Sequence, residues 1–81
     1  MTVTVYSTTS CPFCVMLKDW LKEKKVDFKD YNVGTDQAKA QEMIDKSGQM
    51  GVPVSDIGGE IIIGFDKPKL EKILKEKGLM N

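Results

Sequence analysis

Histidine and arginine are both absent from these 81 residues. Without histidine there can be no Ser-His-Asp or Cys-His nucleophile pair, and no imidazole-liganded metal site. Without arginine there is no forked guanidinium to grip a carboxylate or phosphate. Twelve lysines face twelve acidic residues, so the net charge is zero, and the basic excess of a generic nucleic-acid binder is missing. Long apolar runs are lacking too: Ile61-Ile62-Ile63 is the longest aliphatic one, far short of a membrane span. The opening MTVTVYSTTS has no basic start, no apolar core of signal length and no small-residue cleavage site. A soluble chain in the cytoplasm, without a targeting segment, is therefore expected. Only two cysteines occur, Cys11 and Cys14. They close too small a loop to serve as a structural staple, and in a cytosolic chain such a pair means redox chemistry or metal binding.

What is present suffices for one small domain over residues 1–81, with 41% hydrophobic and 30% charged residues. No repeat, low-complexity stretch or linker interrupts it. Thr2 to Tyr6 alternates polar and apolar and is rich in β-branched residues, which marks a strand. After the polar loop Ser7–Ser10, Phe13, Met16, Leu17, Trp20 and Leu21 recur at helical spacing. Ser10 or Cys11 suits the N-cap, and Pro12 suits the first helical position. Val26 to Val33 reads as a second strand. Gly34-Thr35-Asp36 turns into a second helix lined by Ala40, Met43, Ile44 and Ser47, which Gly48 ends in a left-handed conformation. Met16 and Met43 read as core filling, and Trp20 likewise. Val52-Pro53-Val54 opens a third strand, Gly58-Gly59 makes a hairpin turn, and Glu60 to Ile63 returns as a fourth. A last helix carries Leu70, Ile73 and Leu74, with Glu71 and Lys75 spaced for an ion pair, before Gly78. The order β-α-β-α-β-β-α predicts an α/β domain: a four-stranded mixed sheet covered by three helices, with a parallel first crossover.

The chemistry concentrates in Cys11-Pro12-Phe13-Cys14, at the junction of the first strand and first helix. Three helical steps place two Cα atoms about 5 Å apart, within reach of a disulfide. Cys11 faces the unpaired N–H groups and positive dipole end of a helix, which favour thiolate over thiol. Cys14, one turn further in, is expected to be more buried and poised to attack a mixed disulfide on Cys11. Inert core cysteines or half of a zinc site are the competing readings. Zinc is disfavoured because no second pair and no histidine exist to complete four ligands. Lys18, one turn beyond Cys14, reads as a solvated surface lysine or as a supplementary positive charge for the site.

Tyr6-Ser7-Thr8-Thr9-Ser10-Cys11-Pro12-Phe13-Cys14 resembles the active-site segment of the glutaredoxin family, whose usual form is C-P-Y-C. Gly51-Val52-Pro53-Val54 resembles that family's T-V-P segment, and Gly58 to Asp66 resembles its hairpin and Gly-x-Asp turn. The resemblance runs through the whole chain in order and implies a thioredoxin-like fold. It implies Cys11 as nucleophile, Cys14 as resolving thiol, Pro12 and Phe13 as supporting residues, and a cis Val52-Pro53 bond facing the cysteines. It further implies a glutathione site at the main chain of Val52, at Asp66 and at the N–H groups of Phe65 and Asp66. Asp66 equally suits the N-cap of the last helix.

Taken together, the resemblance implies a dithiol oxidoreductase reducing protein disulfides and glutathione mixed disulfides, with glutathione as co-substrate and no tightly bound cofactor or metal. Neither nucleic acid nor membrane is an expected partner, and a monomer is expected. Some features differ from the family pattern: Thr8 stands where many members have lysine, and Gly51 where threonine is usual. Gly64-Phe65, Pro68 and Leu70 also resemble the redoxins that feed ribonucleotide reductase and are recharged by thioredoxin reductase. This chain lacks the tryptophan that such redoxins carry before that glycine. An iron–sulfur carrier is the third reading, disfavoured by Pro12, and some related redoxins carry selenocysteine at the Cys11 position.

Overall fold

A computed structural model describes residues 3–80, so Thr2 of the expected first strand lies outside the described residues. The elements are β1 (Val3–Ser7), α1 (Pro12–Glu23), β2 (Lys29–Asn32), α2 (Gln37–Ser47), β3 (Val54–Ile57), β4 (Glu60–Ile63) and α3 (Lys67–Glu76). The strands lie in the order β2-β1-β3-β4. β1 and β2 are parallel, whereas β3 is antiparallel to both β1 and β4. The expected four-stranded mixed sheet with three helices is therefore observed.

Alternation along the strands sorts the two faces. Val3 and Val5 of β1, Ile57 of β3 and Ile62 of β4 join Leu17, Trp20 and Leu21 of α1 and Leu70, Ile73 and Leu74 of α3 in the larger core. Tyr6 of β1 and Val54 of β3 turn the other way and meet Met43 of α2. This second face is thin in apolar contact, since Met43 alone is fully buried on α2. Polar contacts supplement it: the Lys46 ammonium donates to the Asp56 carboxylate at 2.7 Å and to the Tyr6 hydroxyl at 3.1 Å. Those partners, Asp56 foremost, hold the Lys46 ammonium well above the usual lysine range.

Four expectations change. The second strand is shorter than Val26–Val33, because Val26 belongs to the stop of α1: its N–H donates to the Leu21 carbonyl and Lys25 takes a left-handed φ of 61°. β3 begins at Val54 rather than Val52, since Pro53 has no N–H to give a ladder. Met16 is not core filling; it is 49% exposed, and Phe13 is 60% exposed. The buried face of α1 is Cys14, Leu17, Trp20 and Leu21, so the apolar stripe is wider than the face the sheet covers. Finally, the ion pairs among the described residues are Lys18–Asp30, Lys39–Glu42, Lys46–Glu42 and Lys46–Asp56, and Glu71–Lys75 is not one of them. An exposed pair of that kind gains little against its side-chain entropy.

The orientation of α1 is checked by two truncations. Leu17→Ala, at a fully buried position, should cost about 2–5 kcal/mol in denaturant unfolding. Met16→Ala should cost less than about 1 kcal/mol. Equal losses would place the wrong face of α1 against the sheet.

Candidate active site

The site starts where β1 ends. Cys11 is the N-cap of α1, in extended backbone geometry, and Pro12 takes the first helical position where no N–H is needed. Sulfur does the capping: the Cys14 N–H donates to Cys11 Sγ at 3.2 Å. The Val15 N–H reaches the Cys11 carbonyl at 3.2 Å. A helix start is rich in such donors. Cys11 is partly exposed and Cys14 buried, and both are free thiols. Burial, reinforced by the neighbouring Cys11 sulfur, pushes the Cys14 thiol up to about 11.

Val52 faces this helix start. Its carbonyl oxygen lies 3.8 Å from Cys11 Sγ, and the Val52-Pro53 peptide is cis, as the resemblance implies. Among the described residues, no protein hydrogen bond engages the Val52 N–H. The loop before it is braced by Gln49, whose side-chain amide pairs with both the N–H and the carbonyl of Gly51. A Cβ at Gly51 would sit 2.6 Å from the Gln49 side-chain oxygen. The Gln49 amide thus takes up space that a threonine at position 51 would need.

The segment after β4 is tied to the same place, because the Gly64 N–H donates to the Pro53 carbonyl at 2.8 Å. Phe65 packs edge-on against Trp20 with ring centroids 6.2 Å apart. Asp66 is the N-cap of α3 and accepts from the Lys69 N–H at 3.3 Å. The Phe65 and Asp66 N–H groups are without protein partners among the described residues. The structure brings Cys11 at the start of α1 against Val52 before β3, and the Gly64–Pro53 bond ties the segment that carries Phe65 and Asp66 to the same loop; Phe65 itself packs on Trp20, further along α1. Phe13 stands outward from the helix, so its ring is available to whatever approaches Cys11.

Two groups were less legible. Lys18 is not simply solvated; its ammonium holds the Asp30 carboxylate at 3.0 Å and contacts the Ser7 hydroxyl at 3.4 Å. Its spacing from Cys14 was visible, but Asp30 on a different strand was not. Gln49 carried no sequence signal, because its role depends on the loop conformation. Among the described residues, no group of three or more His, Cys, Asp or Glu side chains is arranged to hold a metal ion, and no helix is long and apolar enough to cross a membrane.

Comparison with known proteins agrees with this geometry. The glutaredoxin family model matches residues 3–62. The chain belongs to the glutaredoxin family. A glutaredoxin-like 8.6 kDa protein of the rubredoxin operon of Clostridium pasteurianum is 43% identical over 74 residues, covering 91% of this chain and 99% of that one. A crystal structure of a buckwheat glutaredoxin–glutathione complex superposes with a TM-score of 0.77 at 25% identity, covering 98% of this chain and 81% of that one. The glutaredoxin-like NrdH-redoxin from Escherichia coli, whose structure was described for its thioredoxin-like activity profile, gives 0.77 at 25% identity, with 89% and 93% covered. The fold is thus the thioredoxin-like fold of glutaredoxins, and the protein is a thiol–disulfide oxidoreductase.

The raised Cys14 thiol has a consequence for stability. The folded state prefers the neutral thiol, so its contribution is complete below the unfolded-chain value near 9 and is lost as pH rises towards about 11. The reduced protein should lose about 2–3 kcal/mol more across that interval than Cys14→Ala does. Parallel denaturation curves from pH 8 to 11 measure the difference, and coincident pH slopes would contradict it.

Proposed function

We propose that this protein is a glutathione-linked dithiol glutaredoxin, one domain over residues 1–81, acting in the cytoplasm on protein disulfides and glutathione mixed disulfides. The carrying observation is the Val52 main chain beside the Cys11 sulfur, whose N–H has no protein partner among the described residues and whose carbonyl meets only the Cys11 thiol. An extended peptide such as glutathione can add there as a strand, using the Val52 N–H and carbonyl. That places its own sulfur next to Cys11. The free N–H groups of Phe65 and Asp66, with the Asp66 carboxylate, then suit the α-amino and α-carboxylate groups of the γ-glutamyl end. The glutathione complex of the buckwheat relative supports the same assignment.

The reaction runs in two displacements. Cys11 thiolate attacks a substrate disulfide sulfur; the new Cys11–S bond forms, and the other substrate sulfur leaves as a thiolate. The mixed disulfide is then released in one of two ways. Glutathione attacks the substrate-derived sulfur, breaking its bond to Cys11, which leaves as a thiolate while glutathione and that sulfur depart as a disulfide; or Cys14 attacks Cys11 Sγ and expels the substrate as a thiolate while the intramolecular disulfide closes. In the second route two protein thiols are oxidised and one substrate disulfide is reduced, so two electrons balance. No metal or prosthetic group enters.

A second reading has support of its own. The structural match to a redoxin with a thioredoxin-like activity profile, with Thr8 and Gly51 in place of the family's lysine and threonine, favours a carrier recharged by thioredoxin reductase. Turnover of a glutathione mixed disulfide, measured with glutathione plus glutathione reductase and separately with thioredoxin reductase, decides between them. Turnover with glutathione is expected. Turnover with thioredoxin reductase alone would sink the glutathione reading.

Two substitutions test the roles within the site. Cys14→Ser should keep exchange with glutathione mixed disulfides and lose direct reduction of protein disulfides, whereas Cys11→Ser should lose both. Asp66→Asn keeps a good capping side chain but removes the charge. It should leave unfolding stability within about 0.5 kcal/mol and raise KM for a glutathione mixed disulfide several-fold. A loss of stability with unchanged KM would assign Asp66 to capping alone.

A further inference from the structure

The mechanism leaves one requirement open. Cys14 is buried and holds its proton, yet it must become a thiolate inside the protein to resolve a mixed disulfide. What lies around it is specific. Cys11 is on one side, accepting the Cys14 N–H while its own thiol points to the Val52 carbonyl. The Ser7-Thr8 chain is on another, and the Thr8 backbone favours charge on the Cys14 sulfur. The one cation acting on that sulfur is Lys18, one helical turn further along α1 on the same side of the helix.

Lys18 is not free to wander. Asp30 of β2 fixes the ammonium at 3.0 Å, and the buried Ser7 at the end of β1 meets it at 3.4 Å. Ser7 itself donates to the other Asp30 carboxylate oxygen at 2.6 Å. Asp30 of β2 and Ser7 of β1 thus fix the ammonium of an α1 residue that lies one helical turn beyond Cys14. An open groove of about 340 Å³, lined by Val15, Lys18, Asp19, Lys22, Phe28 and Asp30, leaves the Lys18–Asp30 pair open to solvent.

We propose that Lys18, clamped by Asp30 and Ser7, is a positioning residue for the resolving step, stabilising the Cys14 thiolate as it forms so that its proton can pass to water. The step balances as written above: the Cys14 electron pair forms the bond to Cys11 Sγ, and the bond from Cys11 Sγ to the substrate sulfur breaks. Lys18 keeps its proton throughout. The first attack, by Cys11, does not need it. This inference rests on Cys14 being the resolving thiol.

The test uses an aromatic disulfide, 5,5′-dithiobis(2-nitrobenzoate), in stopped flow. Attack by Cys11 releases the first thionitrobenzoate, and attack by Cys14 on the Cys11 mixed disulfide releases the second. In Lys18→Met the thiolate fraction of Cys14 should fall about tenfold at neutral pH, the effect of losing one nearby opposite charge. Because a more basic thiolate is also a better nucleophile, the second phase should slow by about three- to fivefold. With the Cys14 thiol at about 11, the deficit should hold from neutral pH to 10 and narrow only above about 11, and the first phase should stay within twofold, which also reports that the site is folded. Lys18→Arg should restore the second phase and its pH profile. An unchanged second phase in Lys18→Met, or a slowed one that Lys18→Arg does not restore, would overturn the inference while leaving Cys14 as resolving thiol. A second phase that persists in Cys14→Ser would overturn both.

Discussion

A single sulfur-capped helix start organises this molecule. Because Cys11 sits at the N-cap of α1 in extended conformation, its sulfur takes the place that a serine or aspartate oxygen would occupy in an ordinary cap. The N–H that ends there, from Cys14 at 3.2 Å, caps the helix and ties the two cysteines together at once. The rest of the architecture positions that contact: β1 delivers the chain to the end of the sheet, and the cis Val52-Pro53 segment closes the opposite side 3.8 Å away.

The two cysteines differ because the same helix treats them differently. One is at the end, where donors are unpaired and water is near. The other has turned inward onto the sheet, where burial keeps it protonated and pushes its thiol up to about 11. That division leaves one thiol partly exposed and the other buried. It also explains the two-faced character of α1. Cys14, Leu17, Trp20 and Leu21 anchor it in the core, while Phe13, Val15 and Met16 stay at the surface, Phe13 beside the cysteines.

Helix α2 contributes differently. Its inward face is nearly bare of large apolar groups, and it is attached to the sheet by Met43 and by Lys46 bridging Tyr6 and Asp56. The reverse is true of α3, whose Leu70, Ile73 and Leu74 are all buried and whose cap is Asp66. The side of the molecule that carries Phe65 and Asp66 is therefore well anchored apolar structure. Through the Gly64 N–H on the Pro53 carbonyl it shares its position with the cis-proline segment.

Much of this was legible in the chain itself. Alternation in β1, the helical spacing of Leu17, Trp20 and Leu21, and the glycines at the turns are local signals, and local geometry determined element type and order. The placement of Cys11-Pro12-Phe13-Cys14 at a strand–helix junction is local as well, so the sequence by itself determined where the redox pair would lie and which cysteine would be outermost. Other features depend on contacts between residues far apart in the chain. Whether Met16 faced the core was decided by how much of a wide apolar stripe the sheet could cover. The end of β2 was decided by Val26 serving the C-terminus of α1 instead. The pairing of Lys18 with Asp30 and Ser7, and the bracing of the Gly51 loop by Gln49, required the fold to bring α1 against β2 and to set the loop's path. Periodicity and motif spacing report the neighbours of a residue along the chain; only tertiary structure selects its neighbours in space, and those determine how a buried charge or a buried thiol behaves.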